Sequence, residues 1–555
     1  MKKRTAILLA FAAVAFAACI EDKSRYDYRQ TNEVTFLSVP EGFSSTFGEE
    51  AEYVAPIEFS EPFANEEDID KVFEIQWFIG EELVATGYRI RYTFSDVGGF
   101  SLVLKVVNRE TGETYISDGY SMESKSSIGC GWMILAEKDG GESSLSFISP
   151  STLSPMYRLE EMMLPEDESL GTGPKRLFYY YVLGSIPNNY VSGLPKIILN
   201  QDSGTVTLDG SNLMKDRWMR DEFQSGAEPE ADFSMSGFAW KRSYYLICTE
   251  SGNVYMRCMD RTYESIPYYG TYSSMPSDFT GGAHISYFQG FQNVSYWAAD
   301  EDVALMYDDL NGRFLCFVPG GYGDDYESYS PKVVYLGNYD KDLVLGAGVP
   351  RVDAMGTGTR CIAAGAYEKV YVDPEMGGLE FYPSYLALID LGGAADYRLF
   401  SFTVRPLGAE NHVITESSIS MFSGGSLLTG ESIVRMSSNF EKKPFFYFTD
   451  GDRNLYVYSV ASGTHRLAYT ASSAIISISP SPIVSEFSGY GGNSESFNHR
   501  IAVGQEDGSV SILDVSDSRL VQLFEDLSPT LEIKTISGFG EIKDMVWATN
   551  YQGEY

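Results

Sequence analysis

Apolar residues recur along this chain in short runs, each broken by an acidic or polar turn that contains glycine. Seven places repeat one design of apolar strand, turn and second apolar strand. The first is Trp132-Met133-Ile134-Leu135, turn Asp139-Gly140-Gly141, then Leu145-Ser146-Phe147-Ile148. The second joins Ile197-Ile198-Leu199 to Val206-Thr207-Leu208 through Asp202-Ser203-Gly204, and the third joins Tyr245-Leu246-Ile247-Cys248 to Val254-Tyr255-Met256 through Gly252. Ala304-Leu305-Met306-Tyr307 and Phe314-Leu315-Cys316-Phe317 flank Asn311-Gly312. Tyr385-Leu386-Ala387-Leu388-Ile389 and the run from Tyr397 to Phe402 flank Gly392-Gly393. The last two are the clearest: Phe445-Phe446-Tyr447-Phe448, Asp450-Gly451-Asp452, Leu455-Tyr456-Val457-Tyr458, and Ile501-Ala502-Val503-Gly504, Glu506-Asp507-Gly508, Val510 to Val515. Glycine-bearing turns of two to four residues between strand-like runs are the strongest short-range hairpin signal.

The hairpins lie roughly 50 to 80 residues apart, more than a bare four-stranded blade needs. Such repetition predicts a β-propeller of about seven blades with insertions between strands, over 129–555. An elongated set of β-sandwiches is the alternative. The segment Ile533 to Thr549 is expected to close the ring.

Before this region, 31–126 alternates with period two in Val34 to Leu37, Tyr53 to Ile57, Phe73 to Phe78, Tyr88 to Phe94 and Phe100 to Val107. Short strands separated by Gly, Pro and acidic turns predict a β-sandwich, with Trp77 in its core. The strands around Phe73 to Trp77, Tyr92-Thr93-Phe94, Gly98-Gly99-Phe100, Leu102 to Val107 and Thr111 to Tyr115 resemble a PKD-like immunoglobulin fold, which implies a spacer or adhesion module. The expected class is therefore all-β: an immunoglobulin-like sandwich followed by a propeller.

The N-terminus has a different pattern. Met1-Lys2-Lys3-Arg4 is basic, and the apolar run from Ala6 to Ala18 is too short for a stable span, so 1–18 reads as a removable signal peptide. Phe16-Ala17-Ala18-Cys19 resembles the lipobox of bacterial lipoproteins, with Phe16 where Leu is usual. That resemblance implies an acylated Cys19 as the first mature residue, held in a membrane by two or more chains. Ile20-Glu21-Asp22-Lys23 resembles the acidic signal that sends outer-membrane lipoproteins to the cell surface. Residues 19–30 then read as anchor and tether.

Charge narrows the partners. The chain carries 41 Lys+Arg against 77 Asp+Glu, a formal net charge of −36. Such a surface repels nucleic acid and anionic headgroups, so DNA and RNA are not expected ligands. Past Cys19 there remain Cys130, Cys248, Cys258, Cys316 and Cys361, an odd number with no CxxC spacing, and the four His are scattered. No metal or cofactor is expected. Cys248 and Cys258 flank one hairpin, but a tight turn near Gly252 does not set them opposite each other.

The order of lipobox Cys19, Tyr26-Asp27-Tyr28 tether, PKD-like domain and a β-domain opening with Gly131-Trp132-Met133-Ile134-Leu135 resembles PKD-like family lipoproteins. The resemblance implies an accessory surface protein beside a TonB-dependent transporter and its SusD-like lipoprotein lid. Glycan and peptide cargo both fit it.

Candidate binding residues come from aromatic-rich connections. One holds Tyr263, Tyr268, Tyr269, Tyr272, Phe279, Tyr287, Phe288, Phe291, Tyr296 and Trp297 among Gly, Ser and Asn. Another holds Tyr322, Asp324, Asp325, Tyr326 and Tyr329. Aromatic faces stack on sugars and peptide side chains, but propellers also pack aromatics between blades. Loop position favours exposure for Tyr268, Tyr269, Tyr272, Tyr322 and Tyr326. No Gly-x-Ser-x-Gly elbow, His-Glu-x-x-His helix or phosphate loop is present. Asp450, Asp452 and Asn454 alternate like a Ca²⁺ loop without its downstream Glu, and read better as a hairpin turn. A non-catalytic binding or docking subunit is expected. A propeller hydrolase acting on glycans or peptides and an adhesive scaffold are the alternatives.

Overall fold

The computed structural model describes residues 32–94, 97–126, 128–182, 185–186, 189–190, 194–223, 235–241, 244–258, 273–274, 282–288, 304–318, 321–322, 328–329, 332–367, 371–372, 379–380, 384–393, 395–407, 411–437, 440, 443–481 and 499–548. The chain divides into two compact units, Met1–Ser124 and Lys125–Tyr555.

The first unit is built on a six-stranded antiparallel sheet, with Gly98–Asn108 and Phe73–Ile79 paired at its centre. Two strand pairs, Val34–Phe36 with Ile57–Phe59 and Glu50–Val54 with Arg89–Thr93, complete it. One core draws on all three sheets: Tyr53, Ile57, Ile90, Trp77, Leu104 and Met122. Trp77 is fully buried, and its indole N–H donates to the Gly87 carbonyl at 2.8 Å, which satisfies the polar end of that side chain. A short helix, Glu66–Val72, precedes the central strand. The sequence pattern does not reveal it, because acids in its first turn leave only Ile69 buried.

Among the described residues the second unit contains three two-stranded ribbons and seven sheets of four or five strands, antiparallel except where Asn338–Tyr339 pairs parallel with Asn411–Met421 at the edge of the fifth. We number the seven sheets 1 to 7 along the chain and letter their strands a to d from one edge. Each of the seven sequence hairpins is the b–c pair of a different sheet. Examples are Gly131–Glu137 with Ser143–Ile148 in sheet 1 and Arg500–Gln505 with Ser509–Asp514 in sheet 7. The a strands are Pro174–Val182 in sheet 2, Met235–Lys241 in sheet 3, Ile285–Phe288 in sheet 4, Arg360–Tyr367 in sheet 5, Val434–Met436 in sheet 6 and Ile475–Pro480 in sheet 7. Sheet 1 takes its a strand from the far end of the chain: Glu541–Ala548 pairs with Gly131–Glu137, Trp132 opposite Trp547.

Burial makes these sheets a ring. The b strands are apolar at nearly every position because both faces are covered, and successive side chains serve opposite neighbours. In sheet 1, Met133 and Leu135 enter a core shared with sheet 2, while Trp132 and Ile134 enter one shared with sheet 7. Sheets 2 and 3 meet at Ile198 and Ile247, 3 and 4 at Leu246 and Met306, and 4 and 5 at Tyr307 and Phe400. Sheets 5 and 6 meet at Leu388 and Phe446, and 6 and 7 at Tyr447 and Val503. The cores run from sheet 1 round to sheet 7 and back to 1, the arrangement of a β-propeller. The a strands also touch one another in succession around the axis, from Glu541–Ala548 through each sheet to Ile475–Pro480.

Strands a to d of sheets 2 to 7 and strands b to d of sheet 1 are meanders, so the b–c turns emerge at one face of the ring and the a–b and c–d connections at the other. The turn face is tightly finished. Gly312 has φ +61°, and a Cβ there would lie 2.0 Å from the Gly356 carbonyl oxygen. Asp308, fully buried at the end of a b strand, accepts from the His284 amide at 3.1 Å, Asn311 at 2.7 Å and Arg313 at 2.7 Å. The Asp450-Gly451-Asp452 turn is likewise self-satisfied: Asp450 accepts from the amides of Asp452 and Asn454 and from the Asn454 side chain. Burial opposes ionisation of Asp450, but those hydrogen bonds outweigh it and hold the carboxyl below its ordinary value.

Candidate functional site

The sequence-derived site residues fall mostly outside the described residues. This holds for Cys19, Tyr268, Tyr269, Tyr272 and Tyr326. Tyr322 is placed by its backbone alone, in a two-stranded ribbon with Ser328–Tyr329 between strands c and d of sheet 4. The described strand ends that flank the two aromatic clusters, Cys258 and Ser273 in sheet 3 and Val318 and Lys332 in sheet 4, belong to c–d connections and share one face of the ring. Two members of the first cluster are strand residues instead. Tyr287 lies in strand a of sheet 4, where its hydroxyl accepts from the Ala364 amide at 2.8 Å and donates to the Ala364 carbonyl at 3.1 Å. Burial pushes its phenol well above the usual value. Phe288 packs against the core between sheets 3 and 4. The register of sheet 3 sets Cys258 opposite Tyr244 and Cys248 opposite Val254, and Cys248 is a free, buried thiol raised by burial to about 11.

The axial wall brings together residues that no motif connects. Six of the a strands carry a one-residue bulge near their start, at Lys175, Ser236, Ser286, Ile362, Ile476 and Lys543. A bulge re-aims the next side chain. The residues that follow are Arg176, Gly237, Tyr287, Ala363, Ser477 and Asp544. Several of them tie one sheet to the next. Ser477 donates to Asp544 at 3.4 Å, and Asp544 accepts from the Leu177 amide at 3.0 Å and the Met545 amide at 2.9 Å. Arg176 donates to the Ser236 carbonyl at 2.8 Å. Gly237 lets the next a strand pack closely, since a Cβ there would stand 3.2 Å from Phe288.

Electrostatics distinguish the belt from the turns around it. Burial raises the Asp544 carboxyl above its ordinary value, against the pull of the amides and of Arg435 and Arg176. Arg435, on strand a of sheet 6, acts on both Asp544 in sheet 1 and Tyr287 in sheet 4, each two sheets away around the ring. Arg176 and Arg435 are exposed, and among the described residues neither has a carboxylate within 4.0 Å. The bulge lysines nearby are neutralised, Lys175 by Asp202 at 2.8 Å and Lys543 by Glu137 at 3.0 Å. Sequence reasoning missed this group, because its members lie on strands hundreds of residues apart.

Other ionisable clusters are closed. Arg257 and Glu222 form an ion pair with side chains each 1% exposed, Thr207 donating to the same carboxylate, and burial lifts Glu222 above its ordinary value. A cavity of about 30 Å³ between sheets 6 and 7, beside Lys443, His499, Arg500 and Asp517, has room for little more than water. Among the described residues no group of His, Cys, Asp and Glu is arranged to hold a metal ion, and no helix is long and apolar enough to cross a membrane.

Fold and site together define a β-propeller with a cationic group on its axial wall. No protein-family model and no curated protein matches this chain. Solved structures that resemble it include a quinonprotein alcohol dehydrogenase-like protein from Bacteroides thetaiotaomicron, 12% identical with a TM-score of 0.35, covering 94% of this chain and 98% of that one. The β-propeller domain of Swd1 from Myceliophteria thermophila is 9% identical with a TM-score of 0.35, covering 70% of this chain and 99% of that one. The computationally designed Ika8 protein is 8% identical with a TM-score of 0.33, covering 76% and 94%. Likenesses at this level decide nothing about chemistry, and the ring itself rests on strand pairing and shared cores.

Proposed function

We propose that this chain is a non-catalytic lipoprotein of the outer-membrane surface, an accessory subunit of a TonB-dependent, SusC/SusD-like uptake system that binds a glycan or peptide nutrient or docks on the transporter. In this reading Cys19 carries the lipid, 31–126 is a PKD-like immunoglobulin sandwich acting as spacer, and 129–555 is a seven-bladed propeller. The observation that carries it is the lipobox-like Phe16-Ala17-Ala18-Cys19 after a basic and apolar leader, which gives the folded units a reason to be tethered outside the cell. The propeller supports a binding role, since its a–b and c–d connections share one face and present a broad surface on a rigid ring.

The test is a pull-down of the lipidated protein from detergent-solubilised outer membrane, with mass spectrometry of what accompanies it. Co-purification of a TonB-dependent transporter and a SusD-like lipoprotein supports the reading, with Cys19→Ser expected to release the protein from the membrane fraction. Recovery of the protein alone, or a Cys19→Ser protein that stays membrane-bound, overturns it and favours hydrolysis or adhesion.

A further inference from the structure

In a chain with a net charge of −36, carboxylates are abundant, and the bulge lysines Lys175 and Lys543 have each captured one. Arg176 and Arg435 stand on innermost strands, exposed and without an acidic partner among the described residues. Their hydrogen bonds leave donors over: Arg176 gives one N–H to the Ser236 carbonyl and Arg435 one to the Val434 carbonyl at 3.1 Å. A guanidinium has five N–H donors in a planar fork matched to a carboxylate. On the innermost strand beside that of Arg176, Asp544 accepts from the amides of Leu177 and Met545 and from the Ser477 hydroxyl, with lone-pair capacity left on Oδ2.

We propose that the axial wall of the propeller is a binding site for a small carboxylate-bearing, hydroxyl-rich ligand, held by Arg176 and Arg435 with Asp544 accepting from its hydroxyls. The chemistry selects this class over other anions. Two guanidiniums and one carboxylate sum to a single positive charge, which suits a monoanion. A phosphate dianion would be pressed against Asp544, and a neutral sugar would leave both forks empty. An acidic sugar and a short acidic peptide share the required carboxylate, and the sugar acid also supplies donors to Asp544. The inference deepens the nutrient-binding reading above and rests on it only for where the ligand comes from.

The experiment is isothermal titration of the soluble, unlipidated full chain with glucuronate, glucose, a Gly-Glu dipeptide and inorganic phosphate, in wild type and in the Arg176→Gln and Arg435→Gln proteins. Far-ultraviolet circular dichroism and melting confirm that the variants fold. Glucuronate is expected to bind where glucose does not, with affinity falling at least tenfold in each folded variant and weakening as salt rises. Tighter binding of the dipeptide with the same arginine dependence supports the carboxylate site and points to a peptide source. Absence of binding by both carboxylates, binding of phosphate alone, or unchanged affinity in the folded variants overturns the proposal. Because the titration uses the isolated chain, it can fail while the pull-down succeeds, and the reverse.

Discussion

Replacing Trp132 by alanine tests whether the propeller is one closed ring. Trp132 is fully buried, meets Trp547 edge-on at 4.9 Å between ring centres, and donates its indole N–H to the Ser479 carbonyl at 3.0 Å. It therefore joins strand b of sheet 1 to the closing strand and to sheet 7. Loss of a buried tryptophan costs about 4 kcal/mol, including the cavity it leaves. If the roughly 430 residues from Lys125 to Tyr555 unfold together, the unfolding entropy is roughly 0.9 kcal/mol per kelvin, and the melting temperature falls by about 4–5 °C in a single transition. If sheets 7 and 1 come apart alone, about 120 residues share the loss, and their transition falls by about 16 °C and separates from the rest. Differential scanning calorimetry distinguishes these results. Trp132→Phe keeps most of the volume and loses the hydrogen bond, so it is expected to cost only about 1–2 kcal/mol. A shift below about 1 °C for Trp132→Ala, or equal shifts for both variants, refutes closure through this residue.

Arg257→Met strips a buried carboxylate of its partner and should cost about 3–5 kcal/mol. Glu222 already holds its proton more tightly folded than unfolded, so stability falls as pH rises from the unfolded carboxyl pKa through the folded one. The variant raises the folded value further, and melts at pH 5 and pH 8 should differ more than in wild type, with the variant weakest at pH 8. Gly508 and Gly463 share a left-handed conformation, but a Cβ at Gly508 would lie 2.4 Å from the Gly540 carbonyl oxygen, while at Gly463 the nearest atom is 4.0 Å away. Gly463→Ala should cost about 1 kcal/mol from backbone strain alone, and Gly508→Ala about 1–3 kcal/mol more, read as midpoints of urea unfolding.

The b–c hairpins were legible because two local signals coincide there, runs such as Phe445 to Phe448 buried on both faces and turns such as Asp450-Gly451-Asp452 that satisfy their own backbone. The a strands were not. Val434–Met436 has three residues and Ile285–Phe288 four, too few to show a period, and what makes them strands is the neighbour they meet across the ring. Lys543 and Lys175 look like ordinary surface charges in sequence, and only the pairing shows that they are bulges. The Arg176, Arg435 and Asp544 group was invisible for the same reason, since its proximity exists only once the ring has closed. The aromatic clusters were easy to notice because composition alone marks them. Tyr287 shows the weakness of that signal, as a conspicuous aromatic whose hydroxyl serves as a backbone clasp.

The pairing of Gly131–Glu137 with Glu541–Ala548 sets the order of events during synthesis. The first hairpin of the ring leaves the ribosome some four hundred residues before its inner neighbour exists. For that whole interval an apolar strand edge at Trp132 to Leu135 stands open, the kind of edge that recruits other chains. The half-made molecule is therefore most vulnerable to aggregation until its last strand arrives, and expression should depend more on chaperones and on an intact C-terminus than on the stability of the finished ring.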